Sequence, residues 1–249
     1  MCNVSPDTIE YWRKKFNIAK SNKGKKVNRK QYFNEDYFET IDTDHKAYWL
    51  GFIMADGCIC KANKNGNYNN LIINLKKDDI EVLNNFQKDL GSNYKITTKK
   101  SINKKLGIET EISRLKISSV KLVSDLINNS IYPNKTGKEI LPSTIPDEYI
   151  KDFIRGYFDG DGSLTINKSF RICSASLEIL NSINDYFYKT LKFKLNIYEE
   201  KQYKVPFFVM DSNNRKENKK ILDLLYKDST IYLNRKYLRY LDLYCSPIQ

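Results

Sequence analysis

Two aspartates, Asp56 and Asp161, occupy the same place in two copies of one short pattern. The copies are Ala47-Tyr-Trp-Leu-Gly-Phe-Ile-Met-Ala-Asp-Gly57 and Asp152-Phe-Ile-Arg-Gly-Tyr-Phe-Asp-Gly-Asp-Gly162. Each reads as an apolar helix that stops at Asp-Gly, with small residues four apart on one face: Gly51 with Ala55, and Gly156 with Gly160. Such a ridge lets two helix backbones approach closely. If the two helices pack on each other, their C-terminal ends meet and bring the carboxylates together. Two carboxylates at the negative ends of two helix dipoles repel each other. A hard divalent cation bound through oxygen, Mg²⁺ by preference, resolves that repulsion. Backbone carbonyls of the last turn, near Ala55 and Gly160, lack intrahelical partners and extend the candidate ligand set. A single Asp-Gly after an apolar helix is also an ordinary way to stop and turn; its recurrence in a duplication is what favours chemistry.

The duplication extends beyond the motifs. Ile80-Glu-Val-Leu-Asn84 recurs as Leu177-Glu-Ile-Leu-Asn181, and Ser130-Ile-Tyr-Pro-Asn-Lys135 recurs as Thr230-Ile-Tyr-Leu-Asn-Arg-Lys236. Three landmarks in one order define a repeated unit of roughly a hundred residues, a normal size for a structural half. The expected organisation is an N-terminal basic extension over residues 1–36, a first half over 37–141 and a second half over 142–249. Periodicity predicts helix, two strands, helix, two strands, helix in each half. Strands are expected over 58–61, 70–76, 94–98 and 111–118, then 163–166, 170–174, 194–198 and 207–211. Helices are expected over 44–54, 79–90 and 120–129, then 146–158, 177–190 and 215–226. The fold class is α+β. Several strands alternate apolar with polar or basic residues, which gives each sheet one solvated face.

Composition narrows the partners. The 249 residues carry 42 Lys and Arg against 30 Asp and Glu, a formal charge of +12, which favours a polyanion. No apolar run is long enough to span a bilayer, and the N-terminus lacks the order of a signal peptide, so an intracellular protein with no membrane partner is expected. Five cysteines without a C-x-x-C pair indicate neither a disulfide framework nor zinc. The single histidine, His45, argues against a His-metal nuclease and reads as a surface residue near a helix start.

The segments Trp49-Leu-Gly-Phe-Ile-Met-Ala-Asp-Gly57 and Ile154-Arg-Gly-Tyr-Phe-Asp-Gly-Asp-Gly162 resemble the two motifs of single-chain LAGLIDADG homing endonucleases, and the likeness runs from about Tyr37 to Tyr244. It implies two pseudo-two-fold-related αββαββα halves, packed through the motif helices, whose curved antiparallel sheets straddle the DNA major groove. It further implies a monomer that cuts both strands of a long double-stranded site, with two or more Mg²⁺ (or Mn²⁺) ions at Asp56 and Asp161. Family members place a lysine near each centre, and Lys135 and Lys236 are the candidates here. The first copy departs by having Met54 where the second has Asp159, which puts a supporting hydrogen bond near the first metal in doubt. For base and backbone contacts the sheet faces offer Lys61, Asn74, Lys76, Arg114 and Lys116, then Thr165, Asn167, Arg171, Asn196 and Tyr198. Arg171 is aligned with Asn74, and Arg to guanine or Asn to adenine are the pairings that read sequence.

The main alternative is a cleavage-inactive protein of the same architecture, either an intron maturase that binds structured RNA or a DNA-binding regulator. Ahead of the repeat, residues 5–18 carry helix-start signals and an apolar stripe of Ile9, Trp12 and Phe16, suited to docking on the core or to an accessory DNA contact. Residues 20–30 read as a basic linker.

Overall fold

The computed structural model describes residues 31–103, 108–165, 167, 169–203 and 205–245. The helix expected over 5–18 and the linker over 20–30 lie outside the described residues.

The first half contains α1 (Asp44–Asp56), β1 (Gly57–Lys61), β2 (Tyr68–Lys76), α2 (Ile80–Asp89), β3 (Thr97–Asn103), β4 (Ile108–Ser118) and α3 (Val120–Asn128). The second repeats that order with α4 (Ile150–Asp161), β5 (Gly162–Leu164), β6 (Phe170–Ser174), α5 (Leu177–Leu191), β7 (Asn196–Glu199), β8 (Phe208–Ser212) and α6 (Arg215–Tyr226), and then adds α7 (Asn234–Tyr240). The strands form two antiparallel four-stranded sheets, β1-β2-β4-β3 and β5-β6-β8-β7, so the α+β class and the αββαββα order expected from the sequence are observed. Alternation positions each sheet: Leu71, Ile73 and Leu75 of β2 face the core while Asn74 and Lys76 face out. No described helix is long and apolar enough to cross a membrane.

Capping side chains set where the helices begin. Thr43, Ser119, Ser176 and Asn214 each accept a backbone N–H from the first turn of α1, α3, α5 and α6. In α1 every residue from Ala47 to Met54 is buried, and in α4 every residue from Asp152 to Asp159 is, because protein surrounds both helices on all sides. They cross at their glycines. A Cβ built on Gly51 would lie 2.0 Å from the Phe153 carbonyl oxygen, and one on Gly156 would lie 1.9 Å from that of Tyr48. The Gly160 counterpart would lie 2.3 Å from Ala55 Cβ. The two small-residue ridges therefore meet as their spacing predicts.

Three sequence expectations change. The strand expected over 94–98 begins at Thr97 and runs to Asn103, because Tyr94 and Ile96 pack into the core ahead of the ladder. Helix α7 was not foreseen: its segment is rich in cations, and its apolar surface is a tyrosine cluster. There Tyr237 stacks on Tyr232 at 3.9 Å between ring centroids, and Tyr240 on Tyr226 at 5.6 Å. His45 is more than a surface residue. Its Nδ1 pairs with the Asp89 carboxylate at 2.7 Å and its Nε2 with Thr230 Oγ1 of the second half at 2.9 Å, while Trp49 Nε1 donates to the same carboxylate at 2.6 Å.

The Asp89 hydrogen bond raises the pKa of His45. The stabilisation from this pair is therefore complete at acid pH and fades as pH rises through the histidine's folded-state value. Between pH 6 and 8 the melting temperature of the wild type is expected to fall relative to that of His45→Gln, which retains a polar side chain but does not titrate. Parallel melting curves across that range check it.

Candidate metal centre and nucleic-acid interface

Asp56 and Asp161 are the last residues of α1 and α4, and the glycine crossing brings these ends side by side. A Cβ on Gly160 would lie 3.4 Å from Asp56 Oδ2, so the first carboxylate reaches over the last turn of the opposite helix. Asp56 is half-buried; Asp161 keeps an exposed edge but is crowded by protein. Desolvation, followed by the charge of the neighbouring Asp56, raises the pKa of Asp161 to about 6. Desolvation also lifts Asp56, with Lys236 and Lys135 pulling it back. A pair of oxygens that resists holding two negative charges, at the ends of two helix dipoles, suits a divalent cation chemically. Among the described residues, no group of three or more His, Cys, Asp or Glu could hold a metal. Remaining ligands for such an ion would be backbone oxygen, water or a bound anion.

Both candidate lysines lie at this centre. Lys135 Nζ donates to the Ala55 carbonyl at 2.8 Å. The Ala55 oxygen, expected as a metal ligand, thus already accepts from an ammonium. Lys236 is buried, and its Nζ donates to the carbonyls of Phe158 at 2.5 Å, Asp159 at 2.8 Å and Gly162 at 2.6 Å. Burial lowers its pKa to about 8 and also lowers that of Lys135. Both ammonium groups offset the negative helix ends.

Asp159 does not turn toward the centre. Its buried carboxylate accepts from Tyr48 Oη at 2.9 Å, Tyr226 Oη at 2.5 Å and the Leu233 backbone N–H at 2.7 Å. The supporting bond expected near a metal is instead a tie between α4, α1, α6 and the segment leading to Lys236. Sequence reading also missed Glu139, which is buried with an unpartnered Oε2 and whose charge acts on both Asp161 and Lys135. It lies between the repeated landmarks and no motif marked it. Arg235 and Arg239 were likewise missed. With Gly162, Ser163, Leu164 and Lys236 they line a pocket of about 310 Å³ just past the end of α4. Arg235 is ion-paired to Asp79 of the first half at 3.1 Å.

The first sheet presents a basic face. Lys61, Asn74, Lys76, Arg114 and Lys116 are all exposed, and Arg114 Nε donates to Asn74 Oδ1 at 2.8 Å. Asn74, Thr97, Lys99, Lys100, Ser101, Ile112 and Arg114 line a basin of about 520 Å³. The second face is more balanced: Arg171 stands 3.5 Å from Asp211 and 4.0 Å from Glu200, and Tyr198 donates to Asp211 at 3.1 Å. Asn196 is exposed, while Thr165 and Asn167 lie past the end of β5 in its turn. Strand pairing corrects one alignment. Gly57 pairs with Ile73 as Gly162 pairs with Ile172, which puts Arg171 at the place of Ile72 and Cys173 at the place of Asn74. The same register places Asp211 where the first half has Lys116, and Val209 where it has Arg114. Because Ile72 and Asn74 share a face, Arg171 still faces outward.

Known proteins share this architecture. The homing endonuclease I-WcaI bound to its DNA recognition sequence aligns at 16% identity over 90% of this chain and 97% of its own, with a TM-score of 0.57. I-DmoI in complex with DNA and Mn aligns at 17% identity over 80% and 100%, with a TM-score of 0.51. Full-length WhiA from Thermatoga maritima aligns at 14% over 87% and 68%, also at 0.51. At these identities the likeness is one of fold. The LAGLIDADG-like domain matches twice, over residues 43–130 and 148–236, each copy spanning one motif helix and its sheet, and the second ending at Lys236. With more than half of its length matched in that way, the chain belongs to the LAGLIDADG family.

Proposed function

We propose that this protein is a site-specific endonuclease that binds a long double-stranded DNA site as a monomer and cuts both strands with the help of divalent metal. The observation that carries this reading is the abutting pair of carboxylates, Asp56 and Asp161, each at the end of a motif helix with a lysine at its carbonyls. Halves over residues 37–141 and 142–249 each supply one helix and one sheet to that arrangement. Asp56 and Asp161, with the Gly160 carbonyl, hold Mg²⁺ or Mn²⁺. When bound, such an ion neutralises a phosphate and lowers the pKa of a water molecule. The chain's own residues do the rest. The glycine crossing fixes the two carboxylates relative to each other, Lys135 and Lys236 supply positive potential, and the exposed Lys61, Lys76, Arg114 and Lys116 bind the backbone.

Cleavage of a randomised duplex library in Mg²⁺, in Ca²⁺ and with chelator tests this reading. Mg²⁺-dependent staggered ends at one long site are expected. Site-specific binding in Ca²⁺ with no cleavage in Mg²⁺ overturns the endonuclease in favour of a DNA-binding regulator, and selection of structured RNA over DNA favours the maturase. Affinity measured against salt is expected to fall steeply. Replacing Lys116 with Gln should reduce the slope of log K against log[salt] by about one, the contribution of one phosphate contact.

A further inference from the structure

Three substitutions between the repeats fall around the segment that carries each lysine. Arg155 of α4 stands where α1 has Leu50, Asp159 where it has Met54, and Leu233 where the first half has Pro133. In the second half the three residues form one device. Arg155 Nε donates to the Ile231 carbonyl at 2.9 Å, and the Asp159 carboxylate accepts the Leu233 N–H at 2.7 Å. The segment is thereby held by its carbonyl and its amide two residues apart. Lys236 follows one turn later with its ammonium bonded to three backbone carbonyls. In the first half none of this is available: Leu50 offers no donor, Met54 no carboxylate, and Pro133 has no N–H. There a loop with left-handed residues at Ser130 and Asn134 delivers Lys135, half-buried, to one carbonyl.

We propose that Asp159 is a positioning residue for Lys236. By capturing the Leu233 N–H it locks the second lysine against the end of α4, so that the two strand cuts rest on unlike supports. This rests on the endonuclease reading above, but the lock is a property of the protein without metal or DNA. Among the described residues, Lys135 donates to one backbone carbonyl, whereas all three protons of Lys236 are engaged by carbonyls. Lys236 therefore serves as a fixed charge and Lys135 as the more mobile one.

The decisive variant is Leu233→Pro. Leu233 has φ −80° and ψ 110°, which proline adopts, so the substitution removes the N–H with little backbone strain. The first measurement is acetylation of each lysine in the metal-free protein, read by mass spectrometry. Lys236 is expected to react at least about tenfold more slowly than Lys135 in the wild type, and roughly tenfold faster in Leu233→Pro and Asp159→Met with Lys135 unchanged. Asp159→Asn, which keeps an acceptor for the N–H, is expected to keep Lys236 protected. Unchanged Lys236 reactivity in Leu233→Pro, with the variant's fold verified by its melting transition, overturns the proposal. The second measurement is strand-resolved nicking. Leu233→Pro should slow, by about tenfold, the same cut that Lys236→Met slows and spare the other strand. Equal slowing of both strands overturns the proposal as well. A wild type that cuts neither strand while the labelling pattern holds instead refutes the endonuclease reading and leaves the lock standing.

Discussion

Asp161→Asn is expected to bind the DNA site with near wild-type affinity and to lose cleavage of one strand by roughly a thousandfold, converting supercoiled plasmid to nicked circle rather than to linear DNA. Asp56→Asn should nick the other strand. The same substitution carries a stability signature of opposite sign. Asp161 has its pKa raised from 3.8 to about 6 in the folded protein, so between those values the folded state binds more protons than the unfolded chain, and stability falls as pH rises. The neutral amide of Asp161→Asn escapes that loss. In metal-free buffer at pH 7 the variant should be more stable than the wild type by about 1 kcal/mol, a figure discounted because the carboxylate keeps an exposed edge. Adding Mg²⁺ or Ca²⁺ should raise the wild-type melting temperature above pH 6, do so much less near pH 4, and leave Asp161→Asn nearly unmoved. Loss of activity together with loss of apo stability would point to a folding residue instead.

Gly156→Ala is expected to be the most damaging single-methyl change in the chain. Its Cβ would sit 1.9 Å from the Tyr48 carbonyl oxygen and 2.8 Å from the Phe52 amide nitrogen, both backbone atoms of the buried stretch of α1 that no rotamer change can move aside. The helices must separate, which opens the packing of the rings around them and shifts Asp56 relative to Asp161. A cost of about 3 kcal/mol or more follows, against the small gain of alanine over glycine within a helix. In a chain of this length that lowers the melting temperature by roughly 6–12 °C. Gly51→Ala meets the Phe153 carbonyl at 2.0 Å and should behave alike. Once one methyl has forced the helices apart the second finds room, so the double variant should cost less than the sum of the singles. Thermal or chemical denaturation of the three variants checks the series.

What the sequence reveals here depends on whether the signal is local. Small residues four apart and the Asp-Gly that closes each motif are signals local to one helix and its end, so the α1–α4 crossing and the meeting of Asp56 with Asp161 are legible without coordinates. Lys135 and Lys236 are legible only because the duplication supplies a second copy of their segment. Other features depend on long-range partners. Nothing near Asp159 announces that Tyr48, Tyr226 and Leu233 will surround it, and nothing near His45 announces Asp89 or Thr230. Helix α7 is hidden for a related reason: its stability comes from tyrosines that stack on Tyr226 and Tyr232, partners outside the helix itself. The two-residue error in aligning Arg171 arose because an alternating strand looks the same after a shift of two, and only the ladder to β5 fixes it.

That ladder bears on any target as well. Strand pairing sets Lys116 against Asp211, Asn74 against Cys173 and Arg114 against Val209, so a rotation that superimposes the two backbones exchanges donors for acceptors and polar groups for apolar ones. A palindrome presents the same base edges to both sheets and so cannot satisfy both. A duplex read by this pair of faces is expected to have two dissimilar arms, and inverting one arm of such a site is expected to abolish recognition even though every base pair is kept.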